Sequence, residues 1–141
     1  IVAFSFLFLI LLCNVLLSGC SEQETDEEQI KAQIALLQQA IENHSRSDFM
    51  SVVDEQYHDR LNSDRKSLQR MLMGFFLRYK DISVFVSATQ VELIQVRAEA
   101  QSQVVITGGK GLVPDDARHY EVKSCWKKVS GDWLLTCLDW D

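Results

Sequence analysis

Two side chains in the first half of the chain could do acid/base chemistry together. Asp54 and His58 are four residues apart, and on a helix that spacing brings two side chains to one face. A carboxylate beside an imidazole can orient the ring, as the partner of a general base does. Tyr57 is adjacent in sequence, and Tyr79 is expected to approach from a later helix. An exposed pair on an amphipathic helix has the same spacing, so the structural interpretation stays open beside the enzymatic one.

No other motif in the sequence points to a reaction. The glycine-rich stretch at 108–111 lies between predicted strands rather than before a helix, so it is not a phosphate-binding loop. Cys125 and Cys137 lack enough neighbouring ligands to hold a metal, since His119 is isolated. We therefore expect no metal ion and no cofactor.

The first twenty residues carry a different kind of chemistry. Residues 1–17 are uncharged and mostly apolar, and the run Leu17-Ser18-Gly19-Cys20 follows. This pattern resembles the lipobox of bacterial lipoproteins. The resemblance implies cleavage after Gly19, a diacylglycerol on the Cys20 thiol and attachment to the membrane through that lipid. A transmembrane anchor or a plain signal peptide is the alternative, because seventeen residues are at the lower edge of what spans a bilayer.

The resemblance divides the chain into three parts. Residues 1–19 would be the signal peptide, 20–29 the lipidated cysteine with an acidic linker, and 30–141 the domain. Ser21 is not the aspartate that favours inner-membrane retention in enterobacterial lipoproteins, which implies the outer membrane, facing the periplasm. The linker carries five acidic residues and no base, so it is interpreted as a solvated spacer or, alternatively, as an acidic binding tail.

Charge excludes one class of partner. The chain has 14 basic and 20 acidic residues, a net charge of −6, but five of the acidic residues belong to the linker. The domain is nearly neutral and has no basic stripe, so nucleic acid is not an expected partner. The residues after the predicted cleavage site are enough for a single core.

Helical spacing dominates the segment between residues 25 and 80. Thr25 opens a capping box, which predicts a first helix over about 26–43. A second helix is expected over 48–57 with Ser47 as its cap, and a third over 64–79. The third helix is apolar over more than one stripe, so it is predicted to be the most buried of the three.

After residue 80 the apolar period changes to alternation, which indicates strands. The alternating set that begins at Ile82 changes parity before Val91, which predicts a β-bulge and a bend. A second strand is expected over 98–106 and a loop over 108–116. Ser130-Gly131-Asp132 is typical of a hairpin turn between the last two strands.

The remaining cysteines are candidates for a disulfide. By the lipoprotein resemblance Cys13 leaves with the signal and Cys20 is lipidated, which leaves Cys125 and Cys137. The compartment beyond the inner membrane is oxidising, so such a pair is usually joined. Two buried free thiols are the alternative.

The register of the terminal hairpin supports this pairing. If Val129 pairs with Trp133, the two cysteines lie opposite each other. The same register places Lys123 opposite Asp139, where an ion pair is expected.

Two motifs resemble the nuclear transport factor 2-like superfamily. They are the Trp-Lys-Lys-x-x-Gly-x-Trp pattern of the hairpin, over residues 126–133, and Phe-x-x-Tyr-Lys-Asp-Ile over 76–82. The resemblance covers residues 28–141. It implies an α+β cone, in which three N-terminal helices pack on a strongly curved antiparallel sheet of about four strands around a central pocket. The superfamily includes ketosteroid isomerases, SnoaL-like cyclases, dehydratases and non-catalytic binding modules, so the fold does not fix the activity.

The predicted inner face of the sheet is aromatic and apolar with a few hydroxyls. It contains no Asp, Glu, His or Lys, so it offers no general acid or base. Trp126 and Trp140 would be either a ligand platform or plain core. The residues predicted for the ligand pocket are Tyr57, Tyr79, Tyr120, Ser124, Trp126, Thr136 and Trp140.

These observations favour a lipid-anchored envelope protein that binds a small apolar ligand or a protein partner without catalysis. A homodimer or partner would use the outer sheet face, where Val105, Trp133 and Leu135 are expected to be exposed. The alternative is a small isomerase, dehydratase or cyclase that uses His58 and Asp54. A third interpretation is a cone packed shut by its own side chains.

Overall fold

The computed structural model describes residues 24–109 and 116–141. The predicted signal peptide, Cys20 and most of the glycine-rich loop lie outside these residues. Within them, three helices precede a four-stranded antiparallel sheet whose strands pair in chain order, so the chain is α+β. No helix in this part of the chain is long and apolar enough to cross a membrane. The elements are α1 (Asp26–Glu42), α2 (Arg46–Ser51), α3 (Arg65–Arg78), β1 (Asp81–Ile94), β2 (Arg97–Gly109), β3 (Asp116–Val129) and β4 (Asp132–Trp140).

The predicted capping box opens α1. The Thr25 hydroxyl accepts a hydrogen bond from the Glu28 backbone N–H at 3.2 Å, and the Glu28 carboxylate accepts one from the Thr25 N–H at 3.0 Å. The helix begins at Asp26, so residues 26–29, which were counted with the linker, belong to the first helix. Acidic side chains in that first turn interact favourably with the helix dipole.

The second helix is shorter than predicted, and the reason is a tertiary contact. It is capped by Ser45 rather than Ser47 and ends at Ser51. The chain then pairs with the edge of β4, because Asp54 N–H donates to Leu135 O at 2.9 Å and Leu135 N–H donates to Val52 O at 2.8 Å. The sequence predicted a helix through Tyr57 and His58, but neither residue lies on one.

The prediction that the third helix is the most buried is wrong. Leu68 and Leu72 of α3 are buried, but Met71 is 47% exposed and Leu77 is 85% exposed. Met71 lines a cavity described below, whereas Leu77 lines neither hollow found among the described residues and is simply exposed.

Two bulges interrupt the strand pairings that the structure describes, and the sequence predicted one of them. The pairing of β1 with β2 shifts between Ser87 and Gln90, where Ala88 has a φ of 51°, which confirms the predicted bulge. The pairing of β3 with β4 also shifts. The hairpin pairs Val129 with Asp132 rather than with Trp133.

The extra residue in β4 restores the expected register beyond the shift. Cys125 and Cys137 are therefore opposite each other and joined by a disulfide. Lys123 does lie opposite Asp139, but its ammonium group pairs with the Glu99 carboxylate at 2.8 Å.

Because of the β4 bulge, the apolar patch expected on the outer sheet face is not present. Between the turn and the bulge, Trp133 and Leu135 face inward, where they are 1% and 0% exposed. The outer face carries the Glu99–Lys123 ion pair, so the apolar surface expected to receive a homodimer or partner protein is not formed by these residues.

The main core lies between the helices and the inner face of the sheet. Its largest fully buried side chains are Trp126, Trp133, Tyr57, Ile30 and Leu135. This core, the disulfide and every described element lie within residues 24–141, so a chain of residues 21–141 carries the whole described fold.

Candidate ligand-binding site

A cavity of about 260 Å³ lies between the helices and the inner face of the sheet. Helices α1 and α3 supply apolar side chains from one side, among them Leu37 and Leu72. The sheet supplies the other side, where alternate residues of β2 and β3 point inward. Among the described residues, no Asp, Glu, His, Lys or Arg is part of its lining. The sheet residues that line it are Val84, Val86, Ser102, Val104, Ile106, Tyr120, Val122, Ser124, Trp126, Leu138 and Trp140.

Most polar side chains around this cavity are bonded within the protein. The Ser124 hydroxyl accepts a hydrogen bond from Trp126 Nε1 at 2.9 Å. The Ser102 and Thr89 hydroxyls are 2.9 Å apart. Gln38 Nε2 donates to the Val84 carbonyl at 2.7 Å, which also satisfies a carbonyl on the edge strand β1. The polar groups of these side chains are engaged in hydrogen bonds within the protein, and none of them is a carboxylate or an imidazole.

The structure brings four of the seven predicted pocket residues to this cavity: Tyr120, Ser124, Trp126 and Trp140. Tyr57, Tyr79 and Thr136 are not part of its lining. Thr136 lies at the unpredicted β4 bulge, where its carbonyl accepts a hydrogen bond from the His58 N–H at 3.0 Å. Contact with a ligand stays a prediction for the four residues that do line the cavity.

Tyr57 belongs to a buried structural network instead. Its hydroxyl lies 3.3 Å from an Asp59 carboxylate oxygen and 3.4 Å from the Leu138 carbonyl. Burial, and after it the charge of Asp59, raises the pKa of Tyr57 above its usual value. The Asp59 carboxylate also accepts from the Leu61 and Ser63 N–H groups at 2.9 Å. The network fixes the irregular segment between α2 and α3.

Asp54 and His58 do not form the predicted acid/base pair. Asp54 is buried, and its carboxylate accepts a hydrogen bond from the Gln56 N–H at 2.8 Å. His58 is exposed, and its Nε2 lies 3.0 Å from Asn62 Oδ1. Neither residue lines the cavity. The expected arrangement required a helix through both residues, and the chain is not helical there.

No candidate metal centre appears in the part of the chain that the structure describes. Within residues 24–109 and 116–141, no three His, Cys, Asp or Glu side chains are grouped closely enough to hold an ion. The disulfide engages the two cysteines of the domain.

A second hollow, of about 380 Å³, adjoins the apolar cavity. Met71, Phe75, Ile106 and Tyr120 line both. Tyr79, predicted for the pocket, lines this second hollow, and its ring packs over Gly108. A Cβ at Gly108 would be 2.9 Å from the ring, so glycine is needed for this approach. The remaining residues that line the hollow are Gly74, Arg78 and Arg118.

Arg78 and Arg118 were not assigned to a site from the sequence, although the strand position of Arg118 indicated its place. Arg118 has the same strand parity as Tyr120 and Val122, which line the cavity. Arginine is not a candidate general acid or base, because its side chain stays charged near neutral pH. Arg78 ends α3 and lies over the Tyr79 ring at 5.6 Å.

The same arrangement of helices and sheet occurs in solved structures. A proposed scytalone dehydratase from Novosphingobium aromaticivorans superposes with a TM-score of 0.74 at 13% identity, and the match covers 82% of each chain. A proposed dehydratase of the nuclear transport factor 2-like family from Streptomyces avermitilis gives 0.70 at 15% identity, over 80% of this chain and 92% of that one. The fold is nuclear transport factor 2-like. The predicted fold class is thereby confirmed in its α+β, four-stranded form.

These similarities are limited to the fold. Bd1075 from Bdellovibrio bacteriovorus gives a TM-score of 0.69 at 14% identity over 79% of this chain, but this chain spans only 38% of the length of Bd1075. No family model matches the sequence, and no curated protein matches it. Sequence identities this low carry the nuclear transport factor 2-like fold to this chain and no activity.

Proposed function

We propose that this chain is a lipid-anchored envelope lipoprotein whose nuclear transport factor 2-like domain binds a small apolar ligand without catalysis. The observation that carries the proposal is the cavity of about 260 Å³ with its apolar lining. In this proposal the bulges of β1 and β4 curve the sheet into a cone around the ligand. Burial of apolar surface supplies the affinity, at about 0.8 kcal/mol for each methylene group.

The lining also supports a role without chemistry. General acid/base catalysis needs a carboxylate, imidazole or similar group within hydrogen-bonding reach of the substrate. Within the described residues no carboxylate or imidazole lines the cavity, although the Tyr120 side chain does. The hydroxyls of Ser102 and Ser124 have partners in the protein. A ligand held there would contact hydrocarbon and aromatic surface.

A series of linear alcohols tests the binding proposal. Residues 21–141 are titrated calorimetrically with heptanol, octanol and nonanol. Each added methylene group should tighten the Kd about fourfold, since it buries a further 0.8 kcal/mol or so of apolar contact, until the cavity is full. Trp126 and Trp140 line the cavity, so their fluorescence should change in parallel.

Two outcomes of the alcohol series would count against binding in this cavity. One is no measurable heat or fluorescence change with any of the alcohols. The other is an affinity that does not depend on chain length, which would indicate weak adsorption at the surface.

An acid/base enzyme is the second candidate, and the two proposed dehydratases with this fold support it. In this version the exposed His58 would act, without Asp54, on a substrate outside the apolar cavity. Elimination of water from simple β-hydroxy ketones is the assay. Turnover that His58→Gln removes would favour the enzyme, whereas turnover unchanged in His58→Gln would exclude this histidine.

The envelope location rests on the lipobox-like run that ends at Cys20. The disulfide between Cys125 and Cys137 also suits an oxidising compartment beyond the inner membrane. Incorporation of labelled palmitate in a bacterial host tests the anchor. Cys20→Ser should abolish the label, and Cys13→Ser should retain it because that cysteine lies within the predicted signal. Label retained in Cys20→Ser would contradict the proposal.

A further inference from the structure

The hollow beside the apolar cavity has basic side chains in its lining, whereas the described lining of the cavity has no charged side chain. Arg78 comes from the last turn of α3 and Arg118 from β3, and both line the hollow. No Asp or Glu among the described residues lines it. Met71, Phe75 and Ile106 form part of both linings, so an elongated molecule could extend from the uncharged space into the basic one.

Arg118 is exposed, but its position on β3 continues the face that lines the apolar cavity. Tyr120, Val122, Ser124 and Trp126 occupy alternate positions of β3 and line the apolar cavity. Arg118 continues this alternation by one step, opposite Ile106 of β2. Alternate residues of a strand share one face, so the inner face of β3 runs from a buried tryptophan to a guanidinium group.

No ion pair of Arg118 is found among the side chains that the structure describes. Among the residues that the structure describes, the ion pairs join Lys31 with Glu27, Arg60 with Asp141, Lys123 with Glu99, and Lys128 with Asp26. Arg118 is in none of them. A guanidinium group beside an apolar space is suited to binding an anionic group of a ligand.

A purely structural role accounts for one of the two arginines. Arg78 is in the last turn of α3, where a cation interacts favourably with the helix dipole, and it lies over the Tyr79 ring. That explanation does not extend to Arg118, which is on a strand. It also does not explain why two separate elements direct guanidinium groups at one hollow.

We propose that Arg78 and Arg118 bind the anionic head of a single-chain amphiphile whose alkyl chain occupies the apolar cavity. The inference rests on the proposed function, since the cavity must accept the chain. Guanidinium groups form paired hydrogen bonds with carboxylate or phosphate oxygens. The alkyl chain supplies most of the affinity, and the arginines select the charge of the head and fix its orientation.

Four probes with the same ten-carbon chain test this charge selection. Decanol, decanoate, decyl phosphate and decyltrimethylammonium are titrated against residues 21–141. The two anions should bind roughly fivefold to twentyfold more tightly than decanol, as expected for charge-assisted hydrogen bonds at an accessible site. The cation should bind more weakly than decanol. The advantage of the anions should shrink as salt is raised. Comparison of decanoate with decyl phosphate separates a carboxylate ligand from a phosphate ester.

Arginine variants attribute the selection to this hollow. In the double variant Arg78→Gln and Arg118→Gln, decanoate and decyl phosphate should bind about as tightly as decanol, whose own affinity should not change. The matched control is Arg70→Gln with Arg97→Gln. It removes the same charge from residues that line neither space, so it should keep the preference for anions.

The outcomes separate this inference from the proposed function. Decanol binding without tighter binding of either anion overturns the anionic-head inference and leaves the apolar site standing. A preference that survives in the Arg78 and Arg118 double variant overturns it as well. If none of the four probes binds, both the inference and the proposed function fail.

Discussion

At the scale of single residues, Asp26 connects the start of α1 to the terminal hairpin. Its carboxylate accepts hydrogen bonds from Lys128 Nζ at 2.7 Å and Trp133 Nε1 at 3.1 Å. The hydrogen bond from Lys128, and then that from Trp133, lowers the pKa of Asp26 below its usual value because both favour the charged carboxylate.

This lowered pKa predicts how stability depends on pH. A carboxyl group whose pKa is lower in the folded state stabilises the fold above the unfolded pKa of about 4, and this contribution is lost as pH falls through the folded pKa. Asp26→Asn should therefore lower the free energy of unfolding at pH 7. It should also make the further loss between about pH 5 and pH 2 smaller than in the native chain.

Urea unfolding at the two ends of this pH range measures the effect. Glu55→Gln is the matched control, since it removes a carboxylate from an exposed position in the segment after α2. If the free energy of unfolding fell as steeply with decreasing pH in Asp26→Asn as in Glu55→Gln, Asp26 would not contribute to the pH dependence.

The residues of the candidate site differ in how well the sequence predicted them. Strand alternation fixes which face a side chain occupies, so Tyr120, Ser124 and Trp126 were assigned to the inner face correctly. Asp54 and His58 were grouped on the assumption of a helix. The segment instead bonds to β4 through groups about 80 residues away in the chain, and local spacing carries no information about such a partner.

At the scale of elements, the two bulges also differ in whether the local sequence pattern was enough to predict them. The β1 bulge was predictable because the apolar parity changes within the strand itself. The β4 bulge leaves the local pattern ambiguous, since Trp133, Leu134 and Leu135 are all apolar. Its position also depends on the backbone pairing of Leu135 with Val53. The cysteine pairing was thus predicted correctly from a hairpin register that was off by one residue near the turn.

The disulfide should contribute measurably to the stability of this terminal hairpin. It joins β3 to β4 across a sequence separation of 12, and a loop of that length corresponds to about 2–3 kcal/mol in the chain-entropy treatment. The double variant Cys125→Ser and Cys137→Ser should lower the free energy of unfolding by about this amount in urea.

The same variant should also bind decanol more weakly, because β4 carries Leu138 and Trp140 into the cavity. Treatment of the native chain with a reductant should reproduce both effects, and the reductant should not change the double variant. A loss of stability well under 1 kcal/mol would mean that the strand pairing alone already holds the hairpin closed.

At the scale of the whole molecule, the cavity explains why part of α3 is not fully buried. Its Leu68 and Leu72 contact the core, while its Met71 and Phe75 border empty space. Side chains that border a void lose dispersion contacts, and unfilled volume lowers stability. The fold gives up this stability where the proposed ligand binds, so stability and binding should change in opposite directions when the space is filled from within.

Val122→Phe tests that relation across the molecule. Val122 is half-buried and lines the cavity from the middle of β3. A phenyl ring there would bury further apolar surface, so the free energy of unfolding should rise by about 1 kcal/mol while decanol affinity falls at least tenfold. Val105→Phe is the matched control, because Val105 is half-buried but does not line the cavity, and it should leave decanol affinity unchanged. If Val122→Phe destabilised the fold yet bound decanol normally, the space would be neither open to a larger side chain nor the place where the alkyl chain binds.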